Sequence, residues 1–306
     1  MDNFIPDSMF EKFVKDIRSC DPDCRRRKIS TEYVLRMVLY VLHTGIAWKH
    51  IRGLECHYST LTKRFRNWVT LGVFEHCYIA AVDEYCYRTL SQDILHFKNV
   101  FVDCSMIKSR GAVSECTGPN HYDRFRSSTK LSCICDKNRV PLTLEFYPAN
   151  VSDIKTLEET YETIQDKLTI NKRYTVNVIA DKGYVNHGNT LKNMMSMRAN
   201  LVFEEKVYKK KVVLPRQITA NKDGSLRKPY THKVTYVPKH PERQPIIKRV
   251  LTPSHKVALA QRSTIEHVFC RFDKFERIHF RSDKRIATFK AFHYLAATIL
   301  VLNATK

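Results

Sequence analysis

Three acidic residues stand where the surrounding sequence makes a carboxylate expensive. Asp103 ends the apolar run Val100-Phe101-Val102, Asp181 ends the apolar stretch Tyr174 to Ala180, and Glu266 lies among Ile265, Val268, Phe269 and Phe272. A carboxylate in such surroundings costs free energy unless a cation or hydrogen-bond donors meet it. Divalent ions such as Mg2+ or Mn2+ require hard anionic oxygens. Two of them about 4 Å apart serve phosphoryl transfer, one activating the attacking oxygen and the other stabilising the leaving one. Histidine or thiolate clusters would suit zinc better, and none accompanies the acids. Each acid alone has a plainer reading, because a strand-end Asp is often a turn former and a helical Glu is often a surface ion-pair partner. All three on suitable elements, in a basic chain, favour metal chemistry.

The elements that must position them follow from periodicity. Val34, Val38, Val41 and Leu42 mark a helix from Thr31 to Thr44 that stops at Gly45. A short connection containing Trp48 leads to a second helix capped by Ser59, with Leu61, Phe65, Trp68 and Val69 inward and Thr60, Lys63, Arg64 and Asn67 outward. A third helix is expected at about Glu75 to Leu90. The first two form either a helix-turn-helix offering Lys63 and Arg64 to DNA or part of a plain helical bundle with a solvated face. From Lys98 the period changes to strands: one ending at Asp103, a second at Thr129 to Cys135, a third at Pro141 to Tyr147, and a turn at Asp136 to Asn138 between the last two. A helix from Ser152 to about Leu168 connects to the strand ending at Asp181. Another, about Gly188 to Arg198, leads to a strand at Leu201 to Phe203. Both aspartates thus fall at strand carboxyl ends, where sites collect in such sheets. Asn150 and Asp153 read as helix-capping residues. Residues 204–255 are polar, with six prolines, a Lys209–Lys211 run and a turn at Asn221 to Gly224, and read as a basic insertion. A helical region from about Lys256 to Ile278 carries Glu266, and an apolar helix, Ile286 to Leu302, packs on the sheet.

Charge points to the partner. The chain has 306 residues, 52 Lys and Arg against 31 Asp and Glu, and a formal net charge of +21, with basic residues along its whole length. A polyanion is the natural partner, and the Lys209–Lys211 run can grip a phosphate backbone or form a solvated face. Ribosomal and membrane-surface proteins are equally basic, so charge selects no chemistry. The ten cysteines are irregularly spaced; Cys20 with Cys24 and Cys133 with Cys135 lack the matching pairs of a zinc site and read as reduced thiols. The opening MDNFIPDSMF resembles neither a secretory signal nor a transit peptide, and the stretch Ala291 to Leu302 is too short to span a bilayer. A soluble, intracellular, DNA-associated protein without a membrane partner is expected.

Several segments resemble bacterial insertion-sequence transposases of the DDE type, especially insertion sequence family five and its relatives. "VLRMVLYVLHTGIAWKHI" and "STLTKRFRNWVTLGVFEHC" look like that family's helical N-terminal region. "FVDCSMIKSRGA" resembles the strand bearing the first aspartate, "GPNHYDRFRSSTKLSCICDKNRVPLTLEFYPANVSDIKTLEE" the segment through the next two strands, "VIADKGY" the strand bearing the second aspartate, and "RSTIEHVFCRFDKFERI" the helix bearing the glutamate. The resemblance implies an α/β, RNase-H-like mixed sheet flanked by helices over 93–306, preceded by a helical DNA-binding domain over 1–92. It also implies Asp103, Asp181 and Glu266 as catalytic metal ligands for about two Mg2+ or Mn2+ ions, double-stranded DNA with terminal inverted repeats as substrate, and a homodimer. Arg262, one turn before Glu266, contacts a phosphate or orients the carboxylate, or else forms a simple ion pair along the helix face. Tyr184 stacks on a base or seals the core. Two departures stand out. The family usually has Lys where this chain has Asp273; Lys274, a candidate DNA contact, stands one position off that pattern. The family also often has Gly and a basic residue after Asp-Arg, whereas here Asp123 and Arg124 precede Phe125 and Arg126.

Overall fold

A computed structural model describes residues 4–23, 28–110, 115–168, 174–181, 184, 188–204, 209–214, 233–238 and 251–305. Four helices come first. Helix α1 (Asp7–Cys20) buries Met9, Phe10, Phe13, Val14 and Ile17 along one stripe. Helix α2 (Thr31–Thr44) begins at Ser30, whose side chain accepts from Tyr33 N, and ends at Gly45, whose φ of 66° suits a residue without Cβ. Residues 45–57 then include a 3-10 turn at Trp48–His50. Helix α3 (Tyr58–Thr70) starts one residue before the expected cap: His57 is the N-cap, its side chain accepting from Ser59 N. Helix α4 (Val73–Gln92) follows across Gly72.

The mixed sheet expected from the sequence is present, with helices connecting and flanking its strands. It comprises β1 (Asn99–Lys108), β2 (Gly118–Asn120), β3 (Arg126–Cys135), β4 (Pro141–Pro148), β5 (Val176–Ile179) and β6 (Ala199–Val202). Its order is β2-β3-β1-β5-β6, with β4 beside β3. Strand β3 is antiparallel to β1, β2 and β4, whereas β5 is parallel to β1 and β6 to β5. Helix α5 (Asp153–Leu168) connects β4 to β5, and α6 (Gly188–Ser196) connects β5 to β6. Strands β7 (Lys209–Leu214) and β8 (Lys233–Pro238) form a separate hairpin within the segment read as an insertion. The turn at Asn221 to Gly224 and Cys24 lie outside the described residues.

The chain closes with α7 (Pro253–Ala260), α8 (Ser263–Phe272), α9 (Glu276–His279) and α10 (Ile286–Ala304). Helix α10 is apolar all round because it has protein on every side. Phe289 and His293 meet Phe146 of β4, Phe292 stacks on Phe65 of α3 at 4.7 Å, and Tyr294 stacks on Tyr78 of α4 at 5.6 Å. By length and composition this helix could cross a membrane, yet most of it is buried here. One hydrophobic cluster therefore runs from the N-terminal helices through α10 to the sheet.

A buried carboxylate ties the helices to the sheet. Asp136, in the β3–β4 turn, accepts from Asn138 N and Val140 N through one oxygen. The other meets Tyr85 Oη of α4 at 2.5 Å and His96 Nε2 at 2.8 Å.

Two expectations are corrected. Asp103 is not at a strand end, because β1 continues through Lys108 by pairing with β3. Parallel pairing with β5 stops at Phe101–Ile179, so Asp103 stands where the neighbouring strand has run out. Arg64 does not face outward. It is 5% exposed, donates to Ile29 O at 2.9 Å and lies over the Trp68 ring. Its place on α3 turns it toward the start of α2, where these partners offset the cost of burying a guanidinium.

Candidate active site

Residues alternate faces along β1, and this separates a charged pocket from the layer behind it. Asp103 faces the side covered by α8, while Cys104 faces α5, its Sγ 3.7 Å from Thr156 Oγ1 and 3.4 Å from Tyr184 Oη. Tyr184 is 1% exposed, so of its two readings the core one holds.

The acids gather around one guanidinium. Arg262, N-cap of α8, places Nη1 3.6 Å from Asp103 Oδ2 and 3.9 Å from Asp181 Oδ1, and Nη2 3.2 Å from Glu266 Oε1. Each carboxylate arrives by a different route. Asp103 comes from mid-strand β1, Asp181 from the residue but one after β5, and Glu266 from the first turn of α8, whose buried Ile265, Val268 and Phe272 lay the helix on the sheet. The helix-face pair with Glu266 is present, and the geometry adds two further carboxylates to it.

Burial dominates the titration of Asp103, pushing its carboxyl from 3.8 up to about 6. The Cys104 N–H, donating to Oδ1 at 2.8 Å, and the Arg262 charge oppose this, while the Asp181 charge reinforces it. The side chains of Asp181 and Glu266 are about half exposed, at 47% and 53%, against 22% for Asp103. The pocket is thus open on one side and closed behind Asp103. Three carboxylates against one guanidinium leave an excess of negative charge, and the donor set is the hard-oxygen kind that suits Mg2+ or Mn2+. No group of three His, Cys, Asp or Glu side chains among the described residues is already spaced as a metal cage; the carboxylates are arranged on the guanidinium instead.

A second ionic pair lies behind the acids on the α5 face. Lys130 of β3, 2% exposed, pairs with Asp153 and donates to Val151 O. Asp153 was expected only as a capping residue, and the Asp153 charge reaches both Asp103 and Cys104. A lysine inside the otherwise apolar and hydroxyl-bearing run of β3 was the available signal, since a buried ammonium requires an anion.

The other candidate DNA contacts are scattered. Lys63 is exposed on α3, and Lys274 is exposed just after α8. Arg64 is withdrawn from the surface as described. Lys209, Lys210 and Lys211 lie on β7, with side chains outside the described set.

A mixed sheet whose central strands bring two aspartates beside a glutamate-bearing helix defines a class of α/β protein suited to phosphate chemistry. Residues 100–302 match the family model for the transposase DDE domain, and the chain belongs to that family. No curated protein matches it. Similar solved structures include the piggyBac transposase synaptic complex with hairpin DNA. It is 9% identical, with a TM-score of 0.45, over 99% of this chain and 76% of that one. The Mos1 transposase paired-end complex with left transposon end is another, 13% identical, with a TM-score of 0.25, over 66% and 59%.

Proposed function

We propose that this transposase cuts DNA at the terminal inverted repeats of its element and joins the freed ends to target DNA, with Asp103, Asp181 and Glu266 as catalytic residues. The observation that carries the reading is the convergence of these carboxylates from two strands and a helix onto Arg262, in a chain of net charge +21. Divalent ions held by the trio, Mg2+ or Mn2+ and about two per site, would supply activation of the attacking oxygen and stabilisation of the leaving one. Asp103, the most buried ligand, anchors the site to the sheet. Asp181 and Glu266, on the open side, face the approaching phosphate. Arg262 neutralises the trio when the protein is alone and, with DNA bound, turns its guanidinium to a phosphate oxygen. Lys63 and Lys274 add backbone contacts whose contribution falls with salt. Residues 1–92 serve mainly to hold DNA and 93–306 to cut it, and a homodimer brings two ends together.

The test is cleavage and joining of duplexes carrying the repeats that flank the reading frame, in Mg2+ or Mn2+. Nicking followed by strand-transfer products is expected of the native chain. Asp181→Ala should abolish both, and activity unchanged in that variant refutes the assignment. Tight repeat binding without metal-dependent cutting would instead identify a silent regulator, and cutting without joining or repeat preference a structure-specific nuclease.

A further inference from the structure

Strand β3, the antiparallel partner of the strand that carries Asp103, is entered through a turn that takes no part in the core. Between β2 and β3, Tyr122 and Phe125 are 93% and 65% exposed, and Arg124 and Arg126 beside them are exposed as well. Arg126 N donates to Asp123 O at 3.0 Å, closing a four-residue turn. Its two central residues, Arg124 and Phe125, have φ of 50° and 60°. Left-handed backbone at both central positions ordinarily calls for Asn and Gly; a bulky Phe there is strained. Packing does not account for the strain, because the edge contact of Phe125 with His121 at 5.0 Å leaves most of its ring in solvent.

The turn is also firmly held. Asn120 O accepts from Asp123 N and Phe125 N, and Asn120 Oδ1 accepts from Tyr122 N. At its base, Gly118 approaches Asn150 so closely that a Cβ would lie 2.2 Å from Asn150 Oδ1. Asp123 is turned back onto Lys108 Nζ at 3.2 Å, which offsets its charge and leaves a positive field from the arginines. Exposed aromatic rings interleaved with arginines are how proteins hold unpaired nucleotides, the rings stacking on bases and the guanidinium groups meeting phosphates. Backbone strain kept without a packing return is itself a marker of such a site. The turn lies at the carboxyl end of β1, toward the side where Asp181 follows β5. Lys108 is about 17 Å along the strand from Asp103, which corresponds to about five base steps of a duplex.

We propose that the Tyr122–Arg126 turn is a DNA-end contact, in which Tyr122 and Phe125 stack on unpaired bases near the cut while Arg124 and Arg126 hold the adjoining phosphates. This rests on the transposase reading, but it concerns binding and can be tested apart from cutting. The probes are a 30-base-pair duplex, fully paired, and the same duplex with four unpaired nucleotides at one end, labelled with fluorescein and titrated in Ca2+. The native chain should prefer the frayed probe about tenfold, the worth of one stacked base. Tyr122→Ala with Phe125→Ala should remove that preference and leave affinity for the paired probe within about twofold. Arg124→Gln with Arg126→Gln should weaken both probes and flatten the salt dependence by about two phosphate contacts. Replacing Arg124-Phe125 by Asn-Gly should reduce the preference while raising the thermal midpoint, which separates lost contact from lost folding. A preference that survives loss of both rings, or a native chain without preference, overturns the proposal. So does a native oligomer that the ring variants dissolve while their DNA preference persists. Preference for the frayed probe in a native chain that cuts no DNA in Mg2+ would refute the catalytic reading and leave the turn's role standing.

Discussion

Asp103→Asn keeps the shape of the side chain and removes the charge that burial opposes. Its carboxyl moves from 3.8 to about 6 on folding, so the folded chain holds its proton where the unfolded chain has released it. Stability therefore falls as pH rises through this window, and the full penalty is present above about pH 6. The difference corresponds to about 3 kcal/mol, already net of the attraction to Arg262 and the Cys104 N–H, which pull the other way. Without divalent metal, Asp103→Asn should be more stable than the native chain by roughly that amount at pH 7.5, about 1 M in the urea midpoint for a protein of this size. The two should converge below about pH 4, where both forms of the native site are neutral. Urea unfolding followed by circular dichroism in EDTA at several pH values measures this directly. A variant no more stable than native at pH 7.5, or an advantage that persists unchanged at pH 3.5, refutes burial as the dominant cause. The same substitution should eliminate cleavage, so stability gained and activity lost would come from one charge.

Arg262→Gln should destabilise the metal-free chain by only about 1 kcal/mol, because two of its three partners, Asp181 and Glu266, are about half exposed, and millimolar Mg2+ should recover much of the loss in the urea midpoint. Asp136→Asn replaces an acceptor of four hydrogen bonds with a group that can satisfy fewer, and a loss of about 2–4 kcal/mol is expected by urea unfolding; a loss under 0.5 kcal/mol would deny the turn its role in joining α4 to the sheet. Arg64→Met should lower stability by about 2 kcal/mol through the orphaned Ile29 carbonyl and the altered packing on Trp68, while the salt dependence of DNA binding stays as in the native chain. Lys63→Gln should do the reverse, leaving unfolding unchanged and reducing that salt slope by about one contact.

Local pattern carried much of the architecture. The spacing of Val34, Val38, Val41 and Leu42 and the Gly at position 45 define α2 to its last residue, and the apolar runs before Asp103 and Asp181 locate β1 and β5. Helix α1, not among the expected elements, has the same local signal in Met9, Phe10, Phe13, Val14 and Ile17. Arg64 went the other way. Helical position alone placed it on the polar face, and its burial depends on Ile29 and Thr31, more than thirty residues earlier. The extent of β1 was also not local, because the residues after Asp103 become a strand by pairing with β3.

Residue types and short-range periodicity thus determined which acids are candidates, which elements carry them and that the chain's charge suits a polyanion, because these depend on side-chain chemistry and on the repeat of the backbone. Tertiary structure decided what stands between them. Arg262 reaches Asp103 and Asp181 as well as its helical neighbour Glu266 because parallel pairing ends two residues before Asp103 and the apolar face of α8 lies against the sheet. Lys130 meets Asp153, and Tyr184 closes the layer behind Asp103, through contacts that cross from strand to helix and loop. Such meetings depend on how faces pack over long separations, and no repeat in the chain encodes them.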